Sequence, residues 1–278
     1  MGFDTIAPMF NLEPILNKAG DKLISVAFHD QESGAEFFLH ADEPLHPAST
    51  FKVHVMMELF RQANERLLSL DDRLPIVNAF QSVADGSRFS LDVNDDAEQS
   101  LYPRSGETET IAELMRLMIV RSSNLATNIL IGAVGTKSVN EFIRALGIRG
   151  VTILRGVEDK AAFRKGLNNS ATARGLTQTM DLIARKKVVS ETASEAMIRI
   201  LLGQEFNESI PALLPNTVKV AHKTGWTNNF YHDMGIVYPQ GRKPYALSIM
   251  TTGFSEDHPA EAHDCMAHIS RTIYEQLP

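Results

Sequence analysis

The chain has 278 residues, of which 44% are hydrophobic and 22% are charged. This composition is typical of a folded globular protein and argues against a disordered chain, a collagen or a repeat array. The net charge is -7, and no run of Lys or Arg interleaves with aromatic residues, which argues against nucleic-acid binding. We therefore expect the partner to be a small molecule.

Cysteine and hydropathy patterns exclude further classes. The single cysteine, Cys265, cannot form an internal disulfide, and no paired Cys/His spacing suggests zinc, so we predict neither metal nor cofactor. No apolar run approaches the roughly 20 residues that a membrane span needs. The segment from Met1 to Asn11 carries Asp4 and Pro8 where an export signal would have basic residues and then a long apolar stretch. We expect a cytoplasmic monomer, unless a signal has been removed.

The first predicted elements are a hairpin and a central helix. Two short apolar runs, Leu23 to Asp30 and Ala35 to His40, flank the turn sequence Gln31 to Gly34, which predicts two paired strands. From Ser49 to about Arg66 the chain is apolar on almost every face. This pattern predicts a helix buried at the centre of the fold.

The middle of the chain is predicted to be helical. Capping boxes and glycine stops predict helices at Thr110 to Arg121, Asn124 to Val134, Val139 to Leu146, Thr172 to Arg185 and Ala193 to Leu202. The predicted capping boxes are Thr110 with Glu113, Ser138 with Glu141, and Thr192 with Glu195.

The last part of the chain is rich in β-branched and aromatic residues. It predicts a meander of three strands, Thr217 to Gly225, Phe230 to Tyr238 and Tyr245 to Phe254, and then a helix from about Ala260 to Leu277. Two early and three late strands can join one antiparallel sheet only if the helical middle is an insertion. The sequence thus predicts an α+β fold: a five-stranded antiparallel sheet flanked by helices, with an inserted all-helical domain.

This order of elements also predicts the domain boundaries. Residues 1–47 and 205–278 together form the α/β domain, and residues 48–204 form the helical domain. A catalytic cleft is expected between them, because sites form where such parts meet.

The first motif with catalytic potential is Ser49-Thr50-Phe51-Lys52, the only Ser-x-x-Lys in the chain. A serine hydroxyl needs a base to become a nucleophile, and the i,i+3 spacing places the amine of Lys52 beside it. Burial would lower the pKa of Lys52, and the NH groups at the helix start would face the reacting carbonyl. Taken alone, the pattern is explained better by a helix cap at Ser49 with Lys52 on a solvated face.

The second motif, Ser122-Ser123-Asn124, falls between two predicted helices. Ser122 could relay a proton to a leaving nitrogen, and Asn124 could donate its amide to a substrate carbonyl. A plain helix cap explains this motif about equally well. A second Ser-x-Asn, at Ser138 and Asn140, is explained by the capping box.

The third motif, Lys223-Thr224-Gly225-Trp226, lies on the first late strand. Lys223 and Thr224 would bind a substrate carboxylate, and Gly225 lets a ligand approach the backbone closely. Taken alone, a lysine and a glycine at the end of a strand explain the motif better. Three motifs in this order, each on the expected element, make a joint coincidence improbable.

The three motifs resemble the Ser-x-x-Lys, Ser-Asp-Asn and Lys-Thr-Gly set of class A β-lactamases and penicillin-binding proteins. The resemblance covers most of the chain and implies a serine hydrolase that opens β-lactam amides through an acyl-enzyme on Ser49. It also implies an oxyanion hole formed by the backbone NH groups of Ser49 and Trp226, and it makes Asn128 the residue that braces the Ω-loop. The alternatives are a D-alanyl-D-alanine peptidase, a small-ester hydrolase, or a penicillin-binding module with slow deacylation.

The chain departs from this family at two places. Ser123 stands where the family has a carboxylate that braces the site. The family also hydrolyses its acyl-enzyme with a Glu on the Ω-loop. Counting forward from Val151 brings Glu158 to that position, whereas counting back from Asn168 brings Arg164 there. The sequence leaves open whether Glu158 is the catalytic carboxylate or a surface partner of nearby cations.

Histidine and aspartate residues on the late strands have a structural interpretation. His232 and Asp233 are adjacent, and adjacent strand residues point to opposite faces, so they do not form a catalytic pair. His222, next to Lys223, is likewise expected to be a flanking strand residue.

Overall fold

The computed structural model describes residues 9–277 of the chain. Asp4 and Pro8, used above in the export prediction, lie outside the described residues, as does the start of the predicted segment 1–47. The helices are α1 (Glu13–Ala19), α2 (Lys52–Asn64), α3 (Ile111–Val120), α4 (Asn124–Val134), α5 (Thr136–Ala145), α6 (Lys160–Arg164), α7 (Ala173–Ala184), α8 (Glu191–Leu201) and α9 (Pro259–Glu275). The strands are β1 (Leu23–Asp30), β2 (Glu36–Leu39), β3 (Arg73–Pro75), β4 (Phe80–Gln81), β5 (Arg88–Phe89), β6 (Thr108–Thr110), β7 (Val151–Thr152), β8 (Ser170–Ala171), β9 (Lys219–Thr227), β10 (Phe230–Tyr238) and β11 (Tyr245–Thr252).

The main sheet joins the early hairpin to the late meander. Its strand order is β2-β1-β11-β10-β9, and every neighbouring pair is antiparallel. The register pairs Leu23 with Thr252, and Phe230 with both Thr252 and Thr227. The predicted α+β fold with one five-stranded antiparallel sheet is confirmed.

Helices cover both faces of this sheet. On one face, α1 and α9 enclose a core with Phe28, Tyr245 and Leu247. On the other face, residues such as Ala27, Met234 and Met250 join the core of the helical part of the chain. Apolar residues alternate between these two cores along each strand, as expected for a sheet buried on both sides.

Helix α7 connects the helical part of the chain directly to the sheet. Thr177 donates its hydroxyl to the carbonyl of Ala27 at 2.9 Å, and Asp181 lies 2.8 Å from Nδ1 of His29. The domain division at residues 47/48 and 204/205 stays a prediction. No helix within residues 9–277 is both long and apolar enough to cross a membrane.

Helix α2 is the buried central helix that the sequence predicts. Every residue from Lys52 to Phe60 is buried, including the polar side chains of His54 and Glu58. These polar groups have partners: His54 Nε2 contacts Thr179 Oγ1 at 3.0 Å, and Glu58 pairs with Arg61 at 2.6 Å. The alternative in which Lys52 lies on a solvated face is therefore wrong.

Two of the predicted capping boxes are wrong. Helix α5 begins at Thr136 rather than Val139, because Gly135 takes a positive φ of 77° and ends α4 in a turn that leads straight into the next helix. Helix α8 begins at Glu191, where Ser190 accepts a hydrogen bond from the backbone NH of Ala193. The third cap is confirmed, since Thr110 Oγ1 accepts from the NH of Glu113.

Candidate active site

A large open cavity of about 1090 Å³ lies where the helical part of the chain meets the β9 edge of the sheet. Its lining includes five of the residues predicted from sequence, namely Ser49, Ser122, Asn124, Glu158 and Trp226. Lys52 and Lys223 are buried and contact Ser122 of this lining, and Thr224 is buried between Lys223 and Gly225 on β9. The predicted site residues from four distant segments therefore come together at one cavity.

Ser49 lies in a tight 3-10 turn, Ala48–Phe51, that runs directly into α2. The turn begins at Ala48, whose φ of 46° is in the left-handed region. Ser49 is partly exposed at the cavity, while Ala48, Thr50 and Phe51 of the same turn are buried. The turn thus presents the hydroxyl of Ser49 to the cavity, while the neighbouring residues of the turn are buried.

Lys52 is fully buried, and its amine is surrounded by oxygen atoms of the second motif. Its Nζ lies 2.7 Å from the carbonyl oxygen of Ser122, 2.9 Å from Asn124 Oδ1 and 3.3 Å from Ser122 Oγ. Burial lowers the pKa of Lys52 to about 7, although the charges of Asp96 and Glu158 act in the opposite direction. Within the described residues, Ser49 Oγ has no hydrogen bond to this amine.

Ser122 lies between two buried lysines. Its φ of 56° is left-handed, in the short turn that joins α3 to α4, so its carbonyl and its hydroxyl both face Lys52. Lys223 Nζ lies 3.1 Å from the same hydroxyl and 2.8 Å from the carbonyl of Thr224. Burial, aided by the charge of Lys52, lowers the pKa of Lys223 well below its usual value. A hydroxyl between two such amines can pass a proton in either direction.

Strand β9 packs against the turn that carries Ser49. A Cβ atom at Gly225 would lie 2.7 Å from the backbone nitrogen of Ser49, so only glycine fits there. Thr224 Oγ1 is buried and has no hydrogen-bond partner within the described residues. Trp226 is 43% exposed at the cavity, with its ring edge-on to Phe206.

Residues 153–169 form a closed loop, which we call the Ω-loop. Strands β7 and β8 pair across its ends. Asn128 binds the backbone of Val157 twice, accepting from its NH at 2.7 Å and donating to its carbonyl at 2.9 Å. A Cβ atom at Gly156 would overlap the Asn128 side chain. The contact between Asn128 and this loop agrees with the bracing that the family resemblance implies.

Two further asparagines hold the Ω-loop, and the sequence did not predict this contact for either. Asn169 accepts from the NH groups of Leu154 and Arg155 at 2.8 and 3.0 Å. Asn140 accepts from the NH of Ile153 at 2.9 Å, so it is not explained by a capping box. Asparagine has a low helix propensity, so its presence inside α5 was the one sequence feature that could have indicated another role for Asn140.

Glu158 and Arg164, the two candidates for the position of the family's Ω-loop Glu, have different surroundings. Glu158 lines the main cavity, whereas Arg164 is exposed and lines only a smaller cavity of about 180 Å³ behind the loop. Glu158 accepts a hydrogen bond from the NH of Asp92 at 3.2 Å through Oε2, and its Oε1 is buried and unpartnered within the described residues. Burial raises the pKa of Glu158. Neither Lys160 nor Arg155 forms an ion pair with it among the described residues.

A buried carboxylate that the sequence analysis missed lies beside the second motif. Asp96 belongs to residues 92–98, which we call the acidic loop, and both of its oxygens lie 2.9 Å from the NH of Asn124. In sequence this run reads only as a polar turn, since nothing there indicates contact with a helix 28 residues later.

The histidines of the late strands contact other protein groups and do not line the cavity. His222 and Asp233 form a buried pair at 3.0 Å on neighbouring strands, and Asp233 also accepts from the NH of Ile210. His232 points to the opposite face, with its Nε2 lying 2.8 Å from the carbonyl of His46. His232 and Asp233 thus contact different groups and do not act as a pair.

A five-stranded antiparallel sheet with helices on both faces and a cavity at its edge defines the β-lactamase fold. A solved β-lactamase from Sphaerobacter thermophilus matches with a TM-score of 0.81 and 21% identity, over 95% of this chain and 96% of its own. PBP-A matches with a TM-score of 0.80 and 22% identity, over 95% and 94%. A variant of PBP-A is also similar, and it was solved as an acyl-enzyme complex with penicillin G.

The sequence comparison identifies the family. The family model described as Beta-lactamase enzyme family matches residues 9–277, and the chain belongs to this family. A β-lactamase of Bacteroides uniformis is 26% identical over 251 residues, which cover 86% of this chain and 80% of the relative. A β-lactamase of Streptomyces albus G is 24% identical, over 94% of this chain and 82% of the relative. This membership supports a hydrolase of the β-lactamase type.

Proposed function

We propose that this chain is a serine hydrolase that opens β-lactam amides through an acyl-enzyme on Ser49. The observation that carries the proposal is the convergence of two buried lysines on Ser122, at 3.3 and 3.1 Å, beside the cavity that Ser49 lines. A small-molecule substrate fits the cavity volume of about 1090 Å³. The proposal needs neither a metal nor a cofactor.

In the first half of the reaction, Ser49 Oγ attacks the lactam carbonyl carbon and its proton passes to the neutral amine of Lys52. The oxyanion is proposed to bind the backbone NH groups of Ser49 and Trp226. The carbon–nitrogen bond then breaks, and Ser122 gives its hydroxyl proton to the leaving nitrogen while taking one from a neighbouring lysine. Lys223 and Thr224 would bind the substrate carboxylate, and Asn124 would contact the acyl amide.

In the second half, water attacks the ester carbonyl of the acyl-enzyme, and Glu158 takes one proton of this water. The carbon–oxygen bond to Ser49 then breaks, and the proton held by Glu158 passes to Ser49 Oγ, which returns Glu158 to its carboxylate form. The place of Glu158 in the cavity lining and its unpartnered Oε1 support this role.

A second candidate is a penicillin-binding module in which the acyl-enzyme persists. One observation favours it: Oε2 of Glu158 already accepts from the NH of Asp92 in the acidic loop, so one of its two oxygens is engaged by the protein itself. A D-alanyl-D-alanine peptidase or ester hydrolase on the same scaffold would acylate Ser49 from a linear substrate.

Intact-protein mass spectrometry over time, after mixing the full chain with a penicillin, separates these functions. A β-lactamase gains the whole mass of the penicillin and then returns to its free mass. A penicillin-binding module keeps the added mass, and this outcome would contradict hydrolysis. A chain that is acylated by a D-alanyl-D-alanine peptide and releases D-alanine would support the peptidase.

Matched variants connect the measurement to the proposed residues. Ser49→Ala is expected to prevent any gain in mass. Ser122→Ala is expected to slow acylation, whereas Ser138→Ala, which changes the serine of the other Ser-x-Asn pair on α5, leaves it unchanged. Equal rates in the Ser122 and Ser138 variants would rule out the proposed relay through Ser122.

A further inference from the structure

We propose that Asp96 is a positioning residue for acylation, which holds the Ser122-Ser123-Asn124 turn in place and supplies a buried negative charge to the surroundings of Lys52. This inference rests on the proposed function of Ser49. It assigns to the acidic loop, residues 92–98, a role that the second motif itself lacks because its central residue is Ser123.

Asp96 is tied to the second motif by several hydrogen bonds. Its side chain is buried, with 3% of the residue exposed. Both oxygens accept from the NH of Asn124 at 2.9 Å, and Oδ2 also accepts from the NH of Leu125 at 2.9 Å. On its other side, the carboxylate accepts from the NH of Glu98 at 3.0 Å and from the hydroxyl of Tyr102 at 3.0 Å. A carboxylate with this many donors is fixed in position.

Asp96 and Ser123 divide the free NH groups at the start of α4 between them. The first NH groups of a helix have no partner within the helix. Those of Asn124 and Leu125 are bound by Asp96, and that of Ala126 is bound by the hydroxyl of Ser123 at 3.1 Å. The shorter serine therefore suffices at position 123, because the carboxylate comes from the acidic loop instead.

The backbone that Asp96 holds carries the atoms that surround the amine of Lys52. Asn124 Oδ1 lies 2.9 Å from Lys52 Nζ, while Asn124 Nδ2 donates to the carbonyl of Asp95 in the acidic loop at 3.2 Å. The loop thus fixes both the backbone and the amide orientation of Asn124. A shift of this turn would move the oxygen atoms on which Lys52 depends.

The negative charge of Asp96 also acts on Lys52 directly. Two charged groups influence the amine, since both Asp96 and Glu158 favour its protonated form against the effect of burial. Asp96→Asn removes one of the two negative charges while keeping the side chain's shape. The pKa of Lys52 should therefore fall, which a merely structural helix cap would not cause.

The test compares Asp96→Asn with two controls that separate charge from capping. Ser123→Ala removes a cap of α4 but no charge. Asp95→Asn removes a charge from the same loop, and the side chain of Asp95 does not bind α4. Each variant is followed by acylation rate against pH with a penicillin, and by nuclear magnetic resonance titration of Lys52 in isotope-labelled protein, assigned with Lys52→Arg. Thermal unfolding checks that each variant is folded.

Asp96→Asn is expected to lower the acylation rate about tenfold or more, because the motif is mispositioned. It is also expected to move the Lys52 titration to lower pH, more than either control does. An unshifted titration, with a rate equal to that of Ser123→Ala, would overturn the proposal. The titration needs no substrate, so it remains informative if the wild-type chain fails to acylate, and that failure would contradict the proposed function instead.

A relocation variant tests the proposal if Asp96→Asn alone is unstable. Asp96→Asn combined with Ser123→Asp returns a carboxylate to the central position of the motif. This double variant is expected to regain most of the stability that Asp96→Asn loses, and its Lys52 titration is expected to return towards the wild-type pH. A double variant that is folded but keeps the shifted titration would show that the carboxylate acts only from the acidic loop and would overturn the division of roles between Asp96 and Ser123.

Discussion

The backbone nitrogen of Ser49 lies 2.7 Å from the point where a Cβ atom on Gly225 would stand. The backbone nitrogen of Thr50 is almost as close, at 3.0 Å. Both are backbone atoms in a buried turn and cannot rotate away. The position of the proposed nucleophile, Ser49, therefore depends on the absence of a side chain at Gly225 on β9.

Gly225→Ala should push β9 away from the turn that carries Ser49. We expect acylation by a penicillin to slow about a hundredfold, since displacements near 1 Å at a reacting centre have effects of this size. The matched control is Gly241→Ala, in a turn where a Cβ atom meets nothing within 4 Å but φ is 73°. That variant should lose stability and keep its acylation rate, as measured by stopped-flow kinetics and thermal unfolding.

Lys52 should give acylation a specific pH dependence. Its pKa is lowered to about 7 by burial, so the amine is mostly protonated below that pH and mostly neutral above it. Only the neutral amine can take the proton of Ser49, and the acylation rate should rise with pH to a plateau above about 7. Lys52→Arg should abolish the reaction, because a guanidinium stays protonated. The exposed Lys219→Arg should leave the profile unchanged, and a wild-type rate that is flat across this pH range would argue against Lys52 as the base.

Much of the fold could be predicted because periodicity and turn chemistry are local. The strands from Leu23 and Phe230 and the helix at Asn124 were predicted with their correct starts. The starts of α5 and α8 were wrong because Ser138 and Thr192 matched a common cap pattern while Gly135 and Ser190 ended the preceding turn. Competing caps a few residues apart cannot be ranked without the packing of the helix.

The site was predictable to the extent that its residues sit in short motifs. Ser49 and Lys52 share one turn, so their proximity follows from helix geometry. Asp96 shares no motif with Asn124, and their contact depends on how the acidic loop folds over α4. The surroundings of Glu158 also could not be predicted, because they depend on the path of the whole Ω-loop.

Asn128 should matter for the Ω-loop more than for the nucleophile. Asn128→Ala removes two hydrogen bonds to Val157, the residue before Glu158, and should lower the free energy of unfolding by about 1 to 3 kcal/mol. Asn140→Ala is the matched control, because it removes similar bonds to Ile153, farther from Glu158. We expect Asn128→Ala to slow deacylation more than acylation, and Asn140→Ala to slow neither. Equal kinetics in the two variants, measured by mass spectrometry, would contradict this assignment.

Glu158→Gln should separate the two halves of the reaction. The glutamine keeps the size of the side chain and can still accept from the NH of Asp92, but it cannot take a proton from water. Acylation by a penicillin should therefore stay within a few fold of wild type, while deacylation slows by about a hundredfold to ten-thousandfold. The added mass on Ser49 should then persist for hours in the variant.

The wild-type deacylation rate should also depend on the charge of Glu158. Burial raises its pKa, so the carboxylate is ionised only above this raised value, and deacylation should fall as the pH drops through it. The Gln variant should lack this acid limb. Arg164→Gln is the control for the competing Ω-loop position and should deacylate normally, since Arg164 faces only the smaller cavity. If instead Arg164→Gln accelerates deacylation and Glu158→Gln does not slow it, the carboxylate is not the base, and a persistent acyl-enzyme becomes the better account of this cavity.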